Sequence, residues 1–169
     1  NDTQTMWNGI LGRISLTARD KVVIDELCIT PDVDNHKARV AIGLSSPVSG
    51  TISLTATDPE GKSLPVVEIP IEGSEAVSDY QLEDPMPWDE FHPNLYRITA
   101  TLQSGESMDT RSETFGMRKL TNGGALLQIN DRRLFLRGTL ECAIFPLRGY
   151  PPTDKAGWKK VLNTARDYG

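Results

Sequence analysis

The sequence predicts a mainly β chain: a β-sandwich, followed by a hairpin, one buried strand and one C-terminal helix. Three observations point there. Short alternations of apolar and polar residues recur at sandwich spacing, bounded by Gly, Pro, Asn and Asp. A hydrophobic share of 38 % beside 24 % charged residues suits a chain that can bury a core. Helical periodicity is confined to 153–169.

The first alternation is "RISLTA" (13–18), read as a strand. "KVVIDELCIT" follows, alternating through Val23, Asp25, Leu27 and Ile29. "DVDNHK" is a polar turn; Asp32, Asp34 and Asn35 have a faint calcium-loop pattern, but the glycine and distal glutamate of an EF-hand loop are missing. His36 reads as a loop residue. "KARVAIGLS" sets Val40, Ile42 and Leu44 on one face. "GTISLTATD" runs into "DPEG", a turn with Pro59 at its second position and Gly61 closing it. "SLPVVEIPI" carries Pro65 and Pro70, which mark an edge strand or a broken one.

The next segment, 76–102, holds a strand, a proline-punctuated bend and a strong strand from Leu95 to Leu102. "QSGESMDT" is a polar connection and "RSETFGMRKL" returns as a strand. The total is roughly seven short strands in about 100 residues, the count of an immunoglobulin-like sandwich. In the bend, Trp88, Phe91 and Tyr96 are expected to pin the loop to the core, with an aromatic sugar-stacking patch as the other reading. His92 is expected to be structural.

"NGG" at Asn122–Gly124 reads as a linker. "ALLQI" and "RLFLRG" then flank Asn130-Asp131, a pair that tolerates the positive φ of a two-residue hairpin. "LFLRGTLECAIF" is an apolar run broken by Gly138, the pattern of a strand buried on both faces. In "TDKAGWKKVLNTARDYG", Trp158, Val161, Leu162, Ala165 and Tyr168 line one helical face. Thr153 can cap its start, Asp154 suits the positive end of the dipole, and Gly169 stands where a left-handed C-terminal glycine belongs. A strand, a loop and an amphipathic helix open a β-α-β unit.

Composition excludes some classes. A net charge of −5 speaks against a non-specific nucleic-acid binder, and Arg132, Arg133 and Arg137 read as a solvated edge. No stretch approaches the ~20 apolar residues of a membrane helix. Cys28 and Cys142 lie far apart without a CxxC pair; they read as two buried thiols, with a disulfide as the other reading. No cofactor or metal is expected. No signal-like segment fixes the compartment; an extracytoplasmic location is the expectation drawn from the resemblance below.

At "PMPWDEFHPNLYRITATL", "TFGMRKL" and "LLQINDRRLFLRG" the sequence resembles glycoside hydrolase family 2, which contains β-galactosidases, β-glucuronidases and β-mannosidases. The family's tryptophan and Pro-x-Leu-Tyr correspond to Trp88, Pro93, Leu95 and Tyr96. Its Phe-Gly-x-Arg corresponds to Phe115, Gly116 and Arg118. Its hairpin motif corresponds to Asn130, Asp131, Leu136, Arg137 and Gly138. "NGILGRISL" is similar to the close of the preceding sugar-binding domain, and Trp158 takes the usual place on the first barrel helix. After Arg-Gly, however, Thr139, Leu140, Glu141 and Cys142 stand where the family commonly has Val-Asn and histidine.

The resemblance implies three domains: 1–18 ending a jelly-roll-type sugar-binding domain, 19–120 forming the immunoglobulin-like sandwich, and 121–169 supplying the hairpin and first β-α unit of a truncated TIM barrel. It also implies a carbohydrate substrate and neighbouring domains as partners of the parent protein. Retaining hydrolysis needs two carboxyl groups about 5–5.5 Å apart. In the family both are glutamates on later barrel strands, the acid/base following an asparagine, and no Asn-Glu dipeptide occurs here. No catalytic residue is therefore expected in this chain. Glu141 is the one candidate substrate contact, because it falls near the end of the expected first barrel strand; the other reading, and the favoured one, is a structural or solvent-exposed carboxylate near a loop. The alternative function is a free-standing immunoglobulin-like module for adhesion or carbohydrate binding.

Overall fold

The computed structural model describes residues 9–10, 14–105, 107–138, 140 and 145–169. Two compact units are present: 18–135, and 1–17 with 136–169.

In the larger unit, β1 (Ile24–Asp32), β2 (Lys37–Thr57), β3 (Val67–Gln81), β4 (Tyr96–Ser104) and β5 (Ser107–Phe115) form one curled antiparallel sheet. The seven expected strand segments are five continuous strands, because β2 and β3 each run through a corner. The first half of β2 pairs with β1 on one side and with Glu75–Gln81 of β3 on the other. Its second half pairs with β4 and with Val67–Gly73 of β3. The register slips between Gly43 and Val48, and Gly73, opposite Val48, has φ +124°, a value L side chains rarely adopt. Strands that bend this way let one sheet supply both layers of a sandwich.

The outer edges are joined by side chains rather than a ladder. The Asp109 carboxylate accepts the Ile24 N–H at 2.7 Å, and the Arg111 guanidinium donates to the Asp25 carbonyl. Between the layers Ile24, Val40, Ile52, Leu54, Ile98 and Leu102 are fully buried, as the period-2 patterning requires. A register shift between Ile24 and Glu26 turns Ile24 as well as Leu27 inward. The Pro70 segment is an edge: β2 is its ladder partner, so an N–H on its outer side has no bond to make.

The turns follow their residues. Gly61 donates to the Asp58 carbonyl at 3.0 Å with φ +85°, and the Asp58 carboxylate accepts from Glu60 N and Lys62 N. In the turn joining β1 and β2, the Asp32 carboxylate accepts from the side-chain and backbone N–H groups of Asn35, which holds it below the usual carboxylate range. His36 takes φ +51° there, so the segment is a polar hairpin turn.

A second, three-stranded sheet comprises β6 (Leu120–Asn122), β7 (Leu127–Ile129) and β8 (Arg132–Arg133). Asn130 and Asp131 have φ +47° and +63°, the two left-handed positions of a type I′ hairpin. This sheet counts with the sandwich unit, not with the helix.

Three expectations are corrected. "RISLTA" is not a strand over 14–18: Ile14 and Leu16 are exposed, with no ladder partner among the described residues. Alternation gives a segment two faces, but a strand also needs a neighbour to hydrogen-bond. "LFLRGTLECAIF" is likewise irregular over 134–138, with Phe135 and Leu136 each 69 % exposed. A run apolar on both sides needs a layer on each side, and none covers these residues among those described. Cys28 is exposed, because it alternates outward between the inward Leu27 and half-buried Ile29; Cys142 lies outside the described residues.

In the smaller unit, α1 (Lys155–Asp167) is the single helix among the described residues. Asp154, not Thr153, is its N-cap: its backbone is extended and its carboxylate accepts the Gly157 N–H at 2.6 Å. Gly169 does take a positive φ, +90°, and donates to the Arg166 carbonyl. Trp158 meets Phe145 edge-on at 6.0 Å, yet no helix residue is fully buried, and Leu162 and Tyr168 are exposed. With so little tertiary support, the cap matters. Asp154→Ala is expected to cost about 1 kcal/mol of helix stability, read as faster amide exchange over 157–162 with the sandwich unchanged.

Candidate functional site

The three segments that carry the resemblance meet at one place. The loop 85–95 leaves the sandwich before β4, the segment 115–118 leaves it at the end of β5, and the hairpin of β7 and β8 folds against both. Phe115 lies opposite Tyr96 in the β4–β5 ladder, and their rings stack at 5.5 Å between centroids. The Tyr96 hydroxyl reaches back to accept the Met86 N–H at 2.8 Å. That fixes the loop's first end.

Trp88 is held on the neighbouring segment. Its N–H donates to the Met117 carbonyl at 2.9 Å, and Pro87 bridges Met117 in parallel. Its indole lies so close to Gly116 that a Cβ there would come within 2.6 Å of the Trp88 side chain. The Arg118 guanidinium sits over the same ring, 4.8 Å from its centroid. Phe-Gly-x-Arg thus has a local reason in this chain: Phe115 stacks on Tyr96, Gly116 admits Trp88, and Arg118 covers it.

Asn130 joins the hairpin to both. Its Nδ2 donates to the Trp88 carbonyl at 3.1 Å and the Met117 carbonyl at 3.3 Å. Its Oδ1 accepts the Lys119 N–H at 2.7 Å. Lys119 also pairs with Asp34 of the first turn and Asp131 of the hairpin, and these carboxylates raise its pKa. Apart from the turn chemistry of Asn130, neither role is legible from local sequence, because both depend on contacts distant along the chain.

The middle of the loop is organised by Asp89. Its Oδ1 accepts the N–H groups of His92, at 2.6 Å, and Phe91, at 2.9 Å, and contacts the His92 ring. These bonds, the His92 amide foremost, hold the carboxyl below its usual range. A folded-state value below the unfolded one means the stabilisation is full above the unfolded pKa and is lost as pH falls through the folded value. Acidification below about pH 4 is therefore expected to loosen 89–92 before the sandwich unfolds, read as earlier loss of amide protection at Phe91 and His92.

Arg132 donates to Glu90 at 2.6 Å, which lowers the glutamate, and its guanidinium lies over the Phe91 ring at 5.5 Å. Tyr96 is buried and Trp88 half-buried, as expected, but Phe91 remains 65 % exposed. Its neighbour is a surface arginine rather than the core. A buried Tyr96 also removes one ring from any three-ring sugar platform.

Chemically, the arrangement is a buckle that holds the loop and the hairpin on the sandwich. A general acid needs a carboxyl raised towards neutrality. The carboxyls with a resolved shift among the described residues, Asp32, Asp89 and Glu90, are all lowered. No metal-binding group of His, Cys, Asp and Glu occurs among the described residues. Glu141, the candidate substrate contact, lies outside them. No described helix is long and apolar enough to cross a membrane.

Fold and buckle together define an immunoglobulin-like β-sandwich closed at one end by its own loop and hairpin. Residues 22–118, more than half of the chain, match the family Glycosyl hydrolases family 2, and the chain belongs to that family. It is 26 % identical over 172 aligned residues to a β-galactosidase of Photobacterium profundum, covering 91 % of this chain and 17 % of that protein. A β-galactosidase of Aeromonas hydrophila is 26 % identical over 155 residues, covering 81 % of this chain and 15 % of its own length. The fold matches the crystal structure of the Parabacteroides merdae β-glucuronidase with a TM-score of 0.58 at 18 % identity, over 70 % of this chain and 16 % of that one. The chain spans about a sixth of the length of the relatives it matches.

Proposed function

We propose that the chain is the immunoglobulin-like connecting segment of a multidomain glycosidase acting on carbohydrate glycosidic bonds. Membership of the family, over a share of only 17 % of a β-galactosidase relative, is the observation that carries this reading. The sandwich acts as a spacer, and the buckle of Trp88, Gly116 and Asn130 fixes the direction in which the chain leaves it. Residues up to 18 belong with a preceding sugar-binding domain. The segment after the hairpin supplies the first β-α unit of the catalytic barrel, with α1 as its first outer helix. Both catalytic glutamates belong to later barrel strands.

The test is an assay of two proteins against nitrophenyl β-glycosides. The complete gene product is expected to hydrolyse at least one, and the 169-residue chain none. A complete gene product that encodes no further barrel, or that hydrolyses no glycoside, overturns the reading in favour of a free-standing module.

A further inference from the structure

The tip of the β7–β8 hairpin carries opposite charges at neighbouring positions, and each reaches a different part of the sandwich unit. Asp131 Oδ2 meets Lys119 Nζ at 3.1 Å, and the same ammonium meets Asp34 Oδ1 of the β1–β2 turn at 2.7 Å. Arg132 donates to Glu90 at 2.6 Å, and its guanidinium stands 3.9 Å from Asp89 Oδ2. One side of the tip therefore faces a cation and the other faces two anions.

The attachment itself is made by other groups. The Asn130 side chain bonds Trp88, Met117 and Lys119, and its backbone N–H donates to the Lys119 carbonyl at 2.9 Å. Ile129, beside it, is buried. These contacts are neutral and lie close together, so they fix where the hairpin sits better than which way it points.

Exposed ion pairs add little to stability, about 0–1 kcal/mol each. Their effect on direction is larger, because the two wrong pairings repel. A hairpin turned the other way about Asn130 would carry Asp131 towards Glu90 and Asp89, and Arg132 towards Lys119. Attraction favours the observed turn, and like charges oppose the reverse one. Direction matters here because β8 is only two residues long. Leu134 follows at once, its N–H donating to the Leu127 carbonyl at 2.8 Å, so the tip sets the path by which the chain departs.

We propose that Lys119 and Arg132 are positioning residues that key this hairpin by charge, selecting its orientation while Asn130 and Ile129 supply its attachment. The keying stands on the sandwich unit alone. Its use, to aim the domain that follows, rests on the spacer reading above.

Residual dipolar couplings of the backbone amides in the 169-residue chain read orientation separately from stability. In Lys119→Met/Arg132→Met, which removes both keys and keeps the length of each stem, couplings over 128–134 are expected to lose their fit to the alignment of β1–β5. The denaturant midpoint of the sandwich should barely move, and the Ile129 and Asn130 amides should stay protected from exchange. Arg132→Lys keeps the charge and should keep the fit. Couplings of the double variant that still fit the parent orientation overturn the proposal. So does a loss of fit in Arg132→Lys as large as in the double variant, which would assign the orientation to the planar contact with Phe91. Loss of protection at Ile129 and Asn130 in the double variant also overturns it, since the charges would then attach the hairpin rather than aim it. No activity enters this measurement, so its failure leaves the proposed function standing.

Discussion

Replacing Gly116 by alanine is expected to cost about 3 kcal/mol, although the change adds one methyl group. The reason is space. Gly116 has no positive φ, so alanine strains no backbone dihedral there. The added Cβ would instead lie 2.6 Å from Trp88 Cβ and Cγ and 2.7 Å from Cδ1. Trp88 cannot slide aside freely, since its N–H is bonded to Met117 and its carbonyl to Asn130. Either the indole leaves Arg118 or the 115–118 segment shifts, and a shift disturbs the Tyr96–Phe115 stack. Denaturant unfolding measures the loss, and a double-mutant cycle assigns it. In a Trp88→Gly background, which removes all three clashing atoms, the cost of Gly116→Ala should shrink to less than about 1 kcal/mol. A full cost in that background would mean the glycine is needed for another reason.

How much of this was legible in the sequence depends on the range of the interaction. Local chemistry was readable: Asn130-Asp131 as a hairpin, "DPEG" as a turn, Pro70 as an edge marker, and the alternation of Val40, Ile42 and Leu44. Each requires knowledge of only a few neighbouring residues. The corner that turns β2 from one layer to the other was not readable. It is set by a register slip against β3, more than twenty residues away, and "ARVAIGLSSPVSGTISL" looks simply like two strands. Patterns that need an unseen partner misled. "RISLTA" and "LFLRG" have the right alternation or apolarity but lack a covering layer among the described residues.

The buckle lies between these cases. Trp88, Gly116 and Asn130 were each noticeable, and the resemblance placed them in separate motifs. Nothing in the residues themselves reveals that the three touch. Phe91 shows the converse: an aromatic in the same loop, expected against the core, stays on the surface because Asp89 turns the chain at that point. Proximity in sequence to an anchoring tryptophan does not make an aromatic an anchor.

Asn130 separates side-chain bonding from backbone freedom, and two substitutions can read them apart. Asn130→Gly removes the donors to Trp88 and Met117 and the acceptor for Lys119, but keeps the ease of φ +47°. Its expected cost is about 2 kcal/mol, because these backbone groups are part-buried and lose their partner. Asn130→Ala loses the same bonds and in addition forces a side chain without local polar compensation into the left-handed region, adding about 1 kcal/mol. The two variants should therefore differ by that second amount, with both well below the parent in denaturant midpoint. Asn130→Asp is the discriminating third case. It keeps an oxygen for Lys119 N and tolerates the dihedral, but sets a carboxylate against the Trp88 and Met117 carbonyls. If bonding to those carbonyls holds the hairpin on the sandwich, Asp should be no better than Gly at neutral pH. It should recover part of the loss at acid pH, where the protonated acid can donate to one carbonyl. Equal stability of the Asp variant and the parent would show that the Lys119 contact and the turn geometry alone suffice.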